Sequence, residues 1–126
     1  MNDINKKENV KLEIEKGSAA LRQAKILFEN QEYDGAVSRS YYAAFHYVTA
    51  ILLTKGIEVT SHEGLIRMFH LHFIKSGLFP KKYGTILSHL EKAREESDYW
   101  SEVTTSEEDA QSQLHDTEDL IQAVSD

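Results

Sequence analysis

The stretch DGAVSRSYYAAFHYVTAILLTKG, residues 34–56, decides the fold. Val37, Tyr41, Ala44, Val48 and Ile51 recur at the three- and four-residue intervals of one helical face, while Tyr42, Phe45, Ala50, Leu52 and Leu53 spread apolar character over much of the remainder. A helix that is apolar nearly all round is buried on most sides. The spacing therefore predicts a helix from about Asp34 to Lys55 that is central to the molecule or lies partly in an oligomer contact. Asp34 is its expected N-cap, and Gly56 can take the left-handed conformation that closes it.

Working outward, one proline and six glycines leave the chain few breakers, and they fall where helices would end. Upstream, Val10, Ile14, Ala20, Leu21, Ala24, Leu27 and Phe28 predict an amphipathic helix from about Lys6 to Glu29, weakened by Gly17. Asn30 to Gly35 reads as a short connection. Downstream, Thr60-Ser-His-Glu63 matches a capping box and opens a third helix carrying Leu65, Ile66, Phe69, Phe73 and Ile74, which Ser76-Gly77 stops. Pro80 suits the first position of a fourth helix with Tyr83, Ile86, Leu87, Leu90 and Ala93, running toward Tyr99. A second capping box, Thr105-Ser-Glu-Glu108, opens a last helix with Ala110, Leu114, Leu120, Ile121 and Val124. The expectation is an all-α chain, an up-and-down helical bundle of four to five helices forming one domain over residues 1–126.

The charge is unevenly distributed. The net charge of −7 resolves into −1 for residues 1–36, +2 for residues 37–100 and −8 for residues 101–126, where no Lys or Arg occurs. Duplex DNA binding needs a basic face, and none is written here. A local anionic site in the middle segment is compatible with the distribution, and the acidic tail suits a solvated helix or a basic partner. With no cysteine in the sequence, disulfides, thiolate metal sites and thiol nucleophiles are excluded by inventory. The N-terminal segment lacks a signal-peptide core, and no window approaches the roughly 20 apolar residues of a membrane span, so the expected location is cytoplasmic.

Within the central helix, Arg39 and His46 are seven residues apart. That offset turns about 700°, which puts them within roughly 20° of one another and about 10 Å apart along the axis. Tyr42 lies between them on the same stripe. Arg can fork onto a phosphate and His can transfer a proton near neutral pH, so the stripe suits a phosphate or nucleotide site. It suits equally a structural cluster in a crowded helix. The histidines at 62, 70, 72 and 89 do not show metal-binding spacing: His70 and His72 point to different faces, whereas helical ligand pairs usually sit four apart. No metal or other cofactor is expected. Arg67 reads as a surface anion contact, His62 as an exposed group at a helix N-terminus, and Arg94 with Asp98 as an intrahelical ion pair. Tyr99 and Trp100 can cap the core, stack on a base or fill an interface.

The blocks YDGAVSRSYYAAFHYVTAILLTKGIE, TSHEGLIRMFHLHFIKSGL and LEKAREESDYW together resemble the HEPN superfamily, the higher eukaryotes and prokaryotes nucleotide-binding domains, in its small single-domain prokaryotic branch. The resemblance covers nearly the whole chain, with S-R-x-Y-Y-A-x-F-H its most specific part. It implies a helical bundle, usually a homodimer, often encoded beside a minimal nucleotidyltransferase in a toxin–antitoxin pair. Active members resemble metal-independent ribonucleases with an R-x4–6-H motif, in which the histidine moves the 2′-OH proton and the arginine stabilises the phosphoryl transition state. Arg39 and His46 satisfy that spacing and become the expected catalytic residues, with Tyr42, Arg67, Arg94 and Tyr99 as nucleotide- or phosphate-binding candidates. In well-studied nuclease members the motif lies later, and the stretch here that looks equivalent, Arg94 to Tyr99, has no histidine. By the same analogy Tyr99 is a possible target for modification by the partner. The alternative implied role is a non-catalytic nucleotide-binding or protein-interaction module.

Overall fold

The computed structural model describes residues 3–99 and 105–125. Five α-helices follow in chain order: α1 (Asp3–Glu29), α2 (Tyr33–Thr54), α3 (His62–Phe69), α4 (Lys81–Tyr99) and α5 (Glu107–Ser125). No strand occurs among the described residues. The all-α bundle read from the sequence is what forms.

Helix α2 lies at the centre, packed against α1, α3, α4 and α5. Val37, Tyr41, Ala44 and Val48 are buried as their spacing predicts, and Ala43, Ala50, Leu52 and Leu53 are buried beside them. Around Tyr41, Val48 and Leu52 gather Leu65 and Phe69 of α3, Leu87 and Leu90 of α4, and Leu120 and Val124 of α5. Each fully buried leucine contributes about 1.5–3 kcal/mol by leaving water.

Helices α1 and α2 run antiparallel across a tight turn in which Gln31 takes φ 64°. They pack tightly at Gly17. A Cβ there would fall 2.6 Å from Tyr47 Cδ2 and 3.2 Å from the Ala43 carbonyl oxygen. Gly17 is therefore a contact point, where the sequence suggested only a weak spot in α1.

Several boundary expectations need correction. Helix α1 begins at Asp3, ahead of Lys6. Asp34 does not cap α2; it sits in the first turn, and its Oδ1 accepts the Thr105 N–H at 2.8 Å, tying α2 to the start of α5. Both capping boxes shift by one residue. Ser61, extended at φ −144° and ψ 158°, accepts the Gly64 N–H at 2.9 Å, and Ser106 accepts the Asp109 N–H at 3.0 Å. In each case the serine hydroxyl reaches the third helical N–H, leaving the preceding threonine outside the helix. Gly56 (φ 76°) takes the left-handed conformation expected of it, and Gly77 (φ 84°) takes one too. Between Phe69 and Lys75 the third helix widens into a π turn, His70–Ile74. His70 there lies against Gly84 of α4, where a Cβ would fall 2.5 Å from its Cε1. Pro80 directly precedes α4, its carbonyl accepting the Tyr83 N–H at 3.2 Å. Trp100 lies outside the described residues.

Candidate functional site

The Arg39–Tyr42–His46 stripe of α2 faces α1, and α1 supplies a partner to each end. His46 Nδ1 is 2.7 Å from Glu13 Oε2, with both side chains about one-fifth exposed, at 22% and 19%. Arg39 donates from Nη1 to Gln23 Oε1 at 3.1 Å, and its guanidinium lies 5.0 Å from the centre of the Tyr42 ring. The antiparallel packing about Gly17 fixes this arrangement, because it sets Glu13 opposite His46 and Gln23 opposite Arg39. Arg39 and His46 are thus on one surface, held apart by their own partners. The contact to Glu13 uses Nδ1 and leaves Nε2 as the second ring nitrogen outside that pair.

A second polar group lies where α2, α3 and α4 meet. The hydroxyl of Tyr41, fully buried, is 2.7 Å from His62 Nδ1. His62 Nδ1 is in turn 3.6 Å from Glu91 Oε2, and the other oxygen of Glu91 accepts from Arg94. Arg94 also donates to Asp98 at 3.2 Å and packs its guanidinium 5.4 Å from the centre of the Tyr41 ring. Glu91 is only 8% exposed, and a buried carboxylate persists in such a place only when a cation and hydrogen bonds compensate it. Burial, then the hydrogen bond and charge of Glu91, push the Tyr41 phenol far above its ordinary range, so it stays protonated. For Arg94 burial opposes the charge, but hydrogen bonds to Glu91 and Asp98 outweigh it and raise its pKa further.

This cluster borders a cavity of about 540 Å³ lined by His62, Glu63, Ile66, Arg67, Glu91 and Glu95. Arg67 stands at its rim. A smaller cavity of about 330 Å³ lies toward α1, lined by Glu13, Lys16, Thr49 and Thr60 among others. Phe45 joins the two regions: its ring centre is 5.4 Å from that of His46 and 5.0 Å from that of His62. Tyr42 reaches the same place, 6.0 Å from His62.

The geometry just described sits in a recognisable sequence. The model of the HEPN domain matches residues 10–126. The chain belongs to the HEPN domain family. Among its relatives, "Putative toxin MJ0605" of Methanocaldococcus jannaschii is 38% identical over 118 residues, covering 94% of this chain and 87% of that protein. A second protein of the same organism, "Putative toxin MJ0142", is 36% identical over 110 residues, covering 87% of this chain and 74% of the relative. A UPF0332 protein of Thermotoga maritima is 33% identical over 104 residues, covering 82% and 79%.

Of the residues singled out in this HEPN chain, Arg39, Tyr42 and His46 share the α1–α2 surface. Arg67 lies on the larger cavity, while Arg94 is turned inward with its charge engaged by Glu91 and Asp98. Tyr99 stands apart at the end of α4, 88% exposed, so it is no cap on the core. His62, read from sequence as an exposed terminal group, is partly buried and central to the second cluster. No group of three or more His, Asp or Glu side chains among the described residues is arranged to hold a metal ion, and no helix among them is long and apolar enough to cross a membrane.

Proposed function

We propose that this protein is the toxin-side member of a two-protein module and cleaves RNA without a divalent metal, using Arg39 and His46. The observation that carries the reading is the His46–Glu13 pair. A carboxylate 2.7 Å from Nδ1 holds that nitrogen's proton and fixes the ring, leaving Nε2 to take a proton from a ribose 2′-OH. Arg39, about two helical turns away on the same surface, supplies the charge that a pentacoordinate phosphorane needs, with Tyr42 and Arg67 as further contacts to the nucleotide. The names of the Methanocaldococcus relatives support a toxin role. On this reading the protein is a cytoplasmic, single-domain homodimer, and its antitoxin is a minimal nucleotidyltransferase. Incubation of purified protein with RNA in EDTA tests the reading: cleavage is expected, and intact RNA at enzyme excess removes it.

A second reading is favoured by the same contact seen differently. His46–Glu13 and Arg39–Gln23 both bridge α1 and α2, as the contacts of a non-catalytic interaction module would. That reading predicts that His46→Ala chiefly lowers the melting temperature. A His46→Ala protein as stable as wild type rejects it.

A further inference from the structure

Cleavage of a phosphodiester by the adjacent 2′-OH needs two proton transfers, and the Arg39–His46 pair supplies a group for only one of them. We infer that His62 is the second proton-transfer residue, protonating the departing 5′ oxygen, with Tyr41 and Glu91 as the positioning residues behind it. The inference rests on the ribonuclease reading and adds a catalytic group to it.

The hydrogen-bond pattern around His62 fixes which edge of the ring is free. One proton lies between the Tyr41 hydroxyl and His62 Nδ1, which are 2.7 Å apart. If the phenol donates to Nδ1, Glu91 Oε2 is left without a donor; that oxygen is buried and has no other hydrogen bond. If instead Nδ1–H donates to the phenol oxygen, the phenol's own proton is free to orient toward Glu91, which lies close enough to act on Tyr41. A buried carboxylate oxygen left unsatisfied is costly, so the second pattern is favoured. It commits Nδ1 to Tyr41 beside Glu91 and leaves Nε2 for chemistry at the cavity that His62 lines. Glu91 Oε2 also stands 3.6 Å from Nδ1.

His46 and His62 therefore share a design: each has Nδ1 beside a carboxylate, Glu13 Oε2 at 2.7 Å and Glu91 Oε2 at 3.6 Å. Both rings contact Phe45. His62 lines the larger cavity, and Glu13, the partner of His46, lines the smaller. Lys16 and Glu58 line the smaller cavity and Arg67 lines the larger with Glu63, Glu91 and Glu95, while Arg94 offsets Glu91. In the reaction His46 Nε2 takes the 2′-OH proton as the O2′–P bond forms. The P–O5′ bond breaks and O5′ takes the Nε2 proton of His62, giving a 2′,3′-cyclic phosphate and a 5′-hydroxyl.

The test uses two RNA substrates of one sequence, the second with sulfur in place of the bridging 5′ oxygen, a leaving group that needs no proton. His62→Gln is expected to slow the ordinary substrate 10²- to 10⁴-fold, the usual contribution of a general acid, and to cleave the sulfur substrate near the wild-type rate. His46→Gln is expected to be slow on both. Tyr41→Phe should weaken the acid step in the same substrate-dependent way, and ¹⁵N NMR should show His62 losing its preference for Nδ1–H. His62→Gln matching wild type on ordinary RNA, or being equally slow on both substrates with an unchanged melting temperature, overturns the inference while leaving the ribonuclease reading standing. Wild-type protein that cuts neither substrate overturns both.

Discussion

Tyr41→Phe removes one oxygen from the centre of the molecule, and the consequences can be worked out in sign and size. The hydroxyl makes a 2.7 Å hydrogen bond to His62 and lies in a fully buried position beside Glu91. Phenylalanine keeps the ring contacts with Tyr42, Phe45 and His62, so the loss is that of the polar network alone. Removing one partner of a buried hydrogen bond costs about 1–3 kcal/mol. In a chain of this length that corresponds to a fall in melting temperature of roughly 3–12 °C. Alkaline pH adds a second signature. Burial and then Glu91 raise the folded-state pKa of Tyr41, so the folded protein retains a proton that the unfolded chain releases near the ordinary value of about 10. The associated stability is fully present below that pH and falls above it, at about 1.4 kcal/mol per pH unit from this one phenol. Urea denaturation followed by circular dichroism between pH 9 and 11 should therefore show wild type losing stability more steeply than Tyr41→Phe. Parallel curves, or an unchanged melting temperature at neutral pH, would refute the buried-phenol argument.

Three further outcomes are expected. Arg94→Met leaves Glu91 as an uncompensated buried charge and should cost about 3–5 kcal/mol in urea denaturation, most of it recovered when Glu91→Met is added. Gly17→Ala should destabilise by about 1–2 kcal/mol despite the better helix propensity of alanine, because the new Cβ meets Tyr47 and the Ala43 carbonyl; Tyr47→Ala in the same chain should relieve part of the loss. Ser61→Ala should cost about 1 kcal/mol and Thr60→Ala much less, since Ser61 is the residue that caps α3.

The fold was legible because the central segment is apolar on nearly every face and Gly56 and Gly77 stand at helix ends. The caps were misplaced by one residue because Thr-Ser pairs offer two hydroxyls at each start, and only the backbone direction selects between them. Helical spacing put Arg39, Tyr42 and His46 on one stripe but could not say which helix would cover it. Glu13 and Gln23 come from α1, and nothing in the period of α2 points to them. His62 was missed as a central residue for a similar reason. Its partners, Tyr41 and Glu91, come from two other helices. One signal was present: Glu91 and Arg94 continue the buried face set by Leu87 and Leu90, and charged residues at core-facing positions announce a polar network inside. The isolated Gly17 illustrates the opposite error, where a residue unfavourable to its own helix is required by the neighbouring one.

The most direct test of the central claim is the rate at which His46→Ala cleaves RNA in EDTA, measured beside its melting temperature. The account predicts wild-type cleavage without metal and a His46→Ala rate lower by 10² or more with the protein still folded at the assay temperature. Equal rates for the two proteins, or RNA left intact by wild type, would contradict it.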